Sequence, residues 1–156
     1  MNKILLFFTT ILISNQLVAQ ETDPKATEVW EPEPRVVTGS LNYAPPSDAI
    51  VLFDGKSGKH WQMRNDSSAL QWNVNDNAMT VKAGTGDIVS KQSFGDAQIH
   101  IEWRTPAVVD GEGQGRGNSG VFLQGIYEIQ ILDSYQNRTY SNGQAGAIYK
   151  QTMPLV

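Results

Sequence analysis

The chain has 156 residues, 40% hydrophobic and 18% charged, with a formal charge of −4 and no cysteine. That length suits one ordinary domain, and the apolar content excludes a disordered chain. The acidic balance, with no Lys/Arg cluster, argues against nucleic acid as the main partner, while the absence of cysteine excludes disulfides, thiolate metal sites, thiol catalysis and a lipid anchor on an N-terminal cysteine.

Residues 1–19 read as a signal peptide. Lys3 gives a positive start, residues 4–13 are apolar apart from Thr9 and Thr10, and Leu17-Val18-Ala19 ends in a small residue suited to cleavage. The apolar stretch is shorter than the roughly 20 residues of a membrane span. The expectation is export to the periplasm or beyond, with no membrane partner after cleavage. Residues 20–48 form a leader containing Pro24, Pro32, Pro34, Pro45 and Pro46. Proline removes amide donors and disfavours helix before it, so this leader is expected to be extended. Val36-Val37 is its one stretch suited to a sheet edge.

Ordered structure is expected over residues 49–156. A short apolar strand is predicted over 49–53, followed by the turn signal Asp54-Gly55. Residues 70–74 alternate apolar and polar, the period of a half-buried strand; 75–77 read as a turn and 79–81 as the next strand. Further strands are predicted over 87–90, 98–104, 121–123 and 127–132. In 98–104, Ile99, Ile101 and Trp103 point one way and His100, Glu102 and Arg104 the other. No stretch after residue 21 has a 3.6-residue period. Short strands separated by Gly and Asn turns predict an all-β sandwich or barrel.

Several residues suit chemistry or recognition, and each has a plainer alternative. Gly115 to Gly120 fits G-x-G-x-x-G, but a β-type run follows it where a dinucleotide site needs a helix, so it reads as a loop presenting Asn118. Glu102 and Arg104 lie about 7 Å apart on one strand face. They make either a surface ion pair worth about 0–1 kcal/mol or two groups facing a sugar. His100 shares that face, where a lone histidine is more often a surface residue than a catalyst. Glu128 and Gln130 share a face opposite Tyr127, Ile129 and Ile131, which are expected to be core; Asp133 closes the strand. That polar face suits sugar hydroxyls and proton transfer, or is ordinary solvent surface. Trp72 and Trp103 fall on apolar faces and are expected in the core, leaving Trp61, in a loop beside His60, as the tryptophan for stacking on a sugar. Asn65-Asp66-Ser67 and Asn137-Arg138-Thr139 fit glycosylation sequons, relevant only in a eukaryotic secretory host. A divalent cation has carboxylates available, but no spacing specifies a metal site; Asp76-Asn77 and Asp110-Gly111-Glu112 read as turns. No cofactor is implied.

Together these segments resemble the 3-keto-disaccharide hydrolase domain family. The resemblance rests on Leu52-Phe53-Asp54-Gly55-Lys56 with Trp61 after it, Trp72-Asn73-Val74, Phe94-Gly95-Asp96 leading to Glu102-Trp103-Arg104, Asn118-Ser119-Gly120-Val121, the run Tyr127 to Asp133, and Gly146-Ala147-Ile148-Tyr149. It implies a two-sheet, concanavalin-like jelly-roll sandwich of the laminarinase type, acting on glycosides oxidised at carbon 3. Glu102, Arg104, Asn118, Glu128, Gln130 and Asp133 occupy matching motif positions. Such domains run on through further strands, so the resemblance implies that this chain holds the N-terminal part of the sandwich.

A ketone at C3 makes the C2 proton acidic, so a carboxylate can remove it while the aglycone leaves from C1 and water adds back. Glu128 or Glu102 is the expected base, Arg104 the enolate stabiliser, with Asn118 and Gln130 holding hydroxyls. The two-carboxylate alternative pairs Glu128 with Asp133, but their odd separation in a strand requires a bulge. A non-catalytic carbohydrate-binding module is the alternative function, since fold alone does not set activity.

Overall fold

The computed structural model describes residues 23–40 and 42–155. Residues 1–19, expected to be a signal peptide, lie outside the described residues. The described chain is all-β: six short strands and three single 3-10 turns, with no α-helix. It divides into two compact units, one up to Gln92 and one from Ser93.

In the first unit the leader is exposed apart from local turns. Asp23 caps a 3-10 turn, Pro24–Ala26, by accepting from the Lys25 amide at 3.1 Å. Thr38 and Ser47 close a loop through two hydrogen bonds. Val36 and Val37 join no ladder and are exposed, so the expected edge pairing is not formed. Residues 49–53 likewise form no strand. They run past a strand that the sequence reading took for a loop: β1, Trp61–Met63, which pairs antiparallel with β4, Ile88–Ser90. The Trp61 indole donates to the Leu52 carbonyl at 2.9 Å, which holds the 49–53 segment by a side chain instead of a ladder. Met63, on β1, is buried at 1% exposure, alone among the described residues of this unit.

The other ribbon pairs β2, Asn73–Asn75, with β3, Ala78–Thr80. Its two-residue loop, Asp76-Asn77, has φ of 50° and 57°. Two successive left-handed residues make a type I′ turn, whose twist matches that of the flanking strands, and Asn and Asp are the non-glycine residues that tolerate it. This expected turn is therefore present.

In the second unit β5, Asn118–Leu123, pairs antiparallel with β6, Tyr127–Leu132, in an unbroken register from Asn118↔Leu132 to Leu123↔Tyr127. The connecting loop holds Gln124 and Gly125 at positive φ. The segment after β6 folds back onto the ribbon. Gln130 N–H donates to the Ala147 carbonyl and the Gln130 carbonyl accepts from Gly146 N–H, while Tyr149 N–H donates to the Glu128 carbonyl at 2.9 Å.

Two expectations fail in this unit. Residues 98–104 form no strand, and Ile99, Ile101 and Trp103 are 46–60% exposed. Alternation gives a segment a face, but a strand exists only where another backbone takes its amides, and none of the described residues does so here. On β6, the covered face is the opposite of the expected one. Gln130 and Leu132 are 2% and 1% exposed, whereas Tyr127 is exposed and Ile129 and Ile131 are only half-buried. The fold-back of 140–149 covers the Gln130 side, and sequence alternation does not report which side a following loop will cover.

The observed antiparallel ribbons fit part of a jelly roll, which is built of larger antiparallel sheets.

Candidate functional site

Antiparallel register puts directly opposite residues on the same face. Gly120 faces Gln130 and Phe122 faces Glu128, so Asn118, Gly120, Glu128 and Gln130 share one side of the β5–β6 ribbon. Gly120 is there for close approach: a Cβ at this position would lie 2.2 Å from Glu128 Oε1. The absent side chain is the space in which the carboxyl lies.

A chain of amides leads away from this carboxyl through Gln130. Gln114, in the 3-10 turn Gly113–Gly115, donates through Nε2 to the Gly143 carbonyl at 2.9 Å and to Thr139 Oγ1 at 3.3 Å. Its Oε1 accepts from Gln130 at 2.9 Å and from Asn118 at 3.3 Å. The Asn118 amide also donates to the Gln114 main-chain carbonyl at 2.9 Å. The other end of the Gln130 amide lies 3.3 Å from Glu128 Oε1 and 3.1 Å from the Ser119 carbonyl. Gln130 is thus enclosed, and its contacts are to the protein rather than to an open cleft.

Two tyrosines lie next to Glu128. Their hydroxyls are 2.5 Å apart, and the rings of Tyr140 and Tyr149 meet at a centroid distance of 6.1 Å. The Tyr140 hydroxyl is pushed up to about 12, mainly by its hydrogen bond to Tyr149, then by desolvation and by the charges of Tyr149 and Glu128. The Tyr140 ring occupies the space a Cβ on Gly143 would need, with Cε2 at 2.1 Å. Lys150 Nζ lies 5.1 Å from the centre of the Tyr149 ring.

The remaining expected residues are placed differently. Asp133 N–H donates to the Gly117 carbonyl at 2.8 Å, which extends the β6 register by one residue without a bulge. Asp133 therefore lies on the side of the ribbon away from Glu128, where Arg116 meets it at 3.7 Å. The bulge that a Glu128–Asp133 pair requires is not present. Glu102 lies 3.5 Å from His100 Nε2, with both side chains more than 80% exposed. Arg104 is exposed in the same extended segment. Trp61 belongs to the other unit, where it is half-buried with its indole N–H already used. Asn137 is 9% exposed, and its amide bonds both Gly113 and Asp133, so that sequon is closed to modification. Among the described residues no group of acidic or histidine side chains is arranged to hold a metal ion. Gln114, Tyr140 and Tyr149 were missed as site residues. Only Gly113 and Gly115 beside Gln114, and Gly143 three residues after Tyr140, hinted that backbones approach closely there.

Residues 48–156 match the family model of the 3-keto-alpha-glucoside-1,2-lyase-like domain. A crystal structure of a putative glycosyl hydrolase from Parabacteroides distasonis is similar in fold, with a TM-score of 0.77 and 50% identity over 85% of this chain. The chain spans 58% of the length of that neighbour. A comparison with curated proteins gives no match.

Proposed function

The chain belongs to the 3-keto-alpha-glucoside-1,2-lyase-like domain family, and from that premise we propose that it takes part in cleavage of 3-keto-glycosides by elimination, with Glu128 as the proton-transferring carboxylate. The observation that carries this is the setting of Glu128. It is half-buried over Gly120, beside an amide chain and a pair of tyrosine hydroxyls.

The 3-keto group acidifies the C2 proton. Glu128 takes that proton, the electron pair forms the C1–C2 double bond, and the C1–oxygen bond breaks. The departing oxygen gains a proton, giving an enone and a free alcohol, and water added across the double bond completes net hydrolysis. Tyr140, whose charge couples to Glu128, and Tyr149, hydrogen-bonded to it, are hydroxyl donors suited to protonating the leaving oxygen or stabilising the enolate. Asn118, exposed at the start of β5, is placed to meet a substrate hydroxyl. Gln130 is too enclosed for that task and serves Glu128 instead. Glu102 and Arg104 remain proposals as substrate contacts, without support from the described packing. Export, argued from residues 1–19, is proposed with this reading. Among the described residues no helix is long and apolar enough to cross a membrane.

Product analysis tests the reading. The full-length protein is incubated with a 3-keto-disaccharide and release of both sugar units is followed. Release is expected from wild type, with at least a hundredfold loss in Glu128→Gln, the usual scale for a lost acid–base group. Unchanged release by the variant removes Glu128 from the chemistry. Glycan binding by a folded wild-type protein that releases nothing identifies a binding module.

A further inference from the structure

We propose that Gln114 is a positioning residue that, through Gln130, raises the proton affinity of Glu128. The inference follows from which atoms can donate. The Gly143 carbonyl can only accept, so the Gln114 amide nitrogen 2.9 Å away is fixed toward it. Gln114 Oε1 therefore faces Gln130 at 2.9 Å. Asn118 is fixed in the same way, because its Nδ2 donates to the Gln114 main-chain carbonyl. Gln130 must then turn its nitrogen toward Gln114 Oε1, and Asn118 Oδ1 and the Gly143 carbonyl beside it are acceptors too.

That orientation points Gln130 Oε1 at Glu128 Oε1, 3.3 Å away, and at the Ser119 carbonyl, 3.1 Å away. Of these neighbours only Glu128 can become a donor, and only as the acid. With Glu128 as carboxylate, an oxygen of a residue 2% exposed meets nothing but acceptors. Reversing the Gln130 amide gives Glu128 a donor but sets Gln130 Oε1 against Gln114 Oε1 at 2.9 Å. Either orientation is one proton short until Glu128 supplies it. Tyr140, whose charge couples to this carboxyl, also faces it, with Tyr149 hydrogen-bonded to Tyr140 and Lys150 beyond the Tyr149 ring. Once ionised, a carboxylate with raised proton affinity is a stronger base toward the C2 proton, so activity rises as pH passes its midpoint. That catalytic consequence rests on the function proposed above, whereas the raised proton affinity does not.

The test is a pH titration of the full chain carrying ¹³C-carboxyl glutamate, with the Glu128 signal identified by its loss in Glu128→Gln. Gln114→Met removes the nearest acceptor that fixes Gln130, at 2.9 Å, and leaves only the two contacts at 3.4 Å, so its nitrogen is freed to turn to Glu128; the Glu128 midpoint is expected to fall by about one pH unit. Gln114→Glu keeps an acceptor facing Gln130, so its midpoint is expected to stay at or above the wild-type value. A structural disturbance alone would move both variants the same way. Equal midpoints in wild type and Gln114→Met overturn the proposal. Wild type gives an independent reading: the Gln130 side-chain amide resonances are expected to titrate with the Glu128 midpoint, and a pH-insensitive amide also overturns it. A moved midpoint without keto-glycoside turnover upholds this inference and sinks the proposed function. Turnover that depends on Glu128, with an unmoved midpoint, does the reverse.

Discussion

At the scale of single residues, the site is built from groups that gain their character from neighbours. Tyr140 illustrates this, since the Tyr149 hydroxyl holds its proton in place up to about pH 12. The folded state thus favours the neutral phenol. Its contribution to stability is fully present below the ordinary value of 10.0 and is lost as pH rises through about 12. An ultraviolet difference titration of wild type against Tyr140→Phe is expected to show a phenol with a midpoint near 12, falling toward 10.0 in a Tyr149→Phe background. A wild-type midpoint already at 10.0 would mean that the hydroxyl pair does not form in solution. Glu128 and Gln130 were legible in the sequence because they sit on adjacent same-face positions of one strand. Gln114 was not, because its role depends on Gly143 and Gln130, which are distant in the chain and meet it only on folding.

At the scale of elements, the fold-back that covers Gln130 is tied down by Asn137. Its side chain accepts from the Gly113 amide at 2.8 Å and donates to the Gly113 and Asp133 carbonyls at 2.9 and 2.7 Å. It thereby joins the turn carrying Gln114 to the end of β6. Asn137→Ala leaves these main-chain groups unsatisfied, and a loss of about 2 kcal/mol is expected, measured by urea unfolding. A midpoint equal to wild type would show that water replaces the amide at no cost. The hairpins show why some elements were readable. The turn at Asp76-Asn77 is set by two residues whose own backbone preferences suffice. Residues 98–104 have better alternation than β2 yet form no strand, because alternation specifies a face and not a partner.

At the scale of the whole molecule, protection from exchange should follow the ladders. Hydrogen exchange measured on the full chain is expected to be slow in β5 and β6 and fast in 97–104, whose backbone joins no ladder among the described residues. Slow exchange in 97–104 would show that its predicted strand finds a partner in solution. The all-β class, the hairpin turns and the carbohydrate-acting family were determined by sequence alone, because alternation, turn chemistry and motif order are local or linear properties. Tertiary structure alone decided that Asp133 faces away from Glu128 and that the buried face of β6 is its polar one. Those outcomes depend on strand register and on where residues 140–149 return. Both are set by contacts between segments far apart in the chain, and neither leaves a signature in the spacing of residues along one strand.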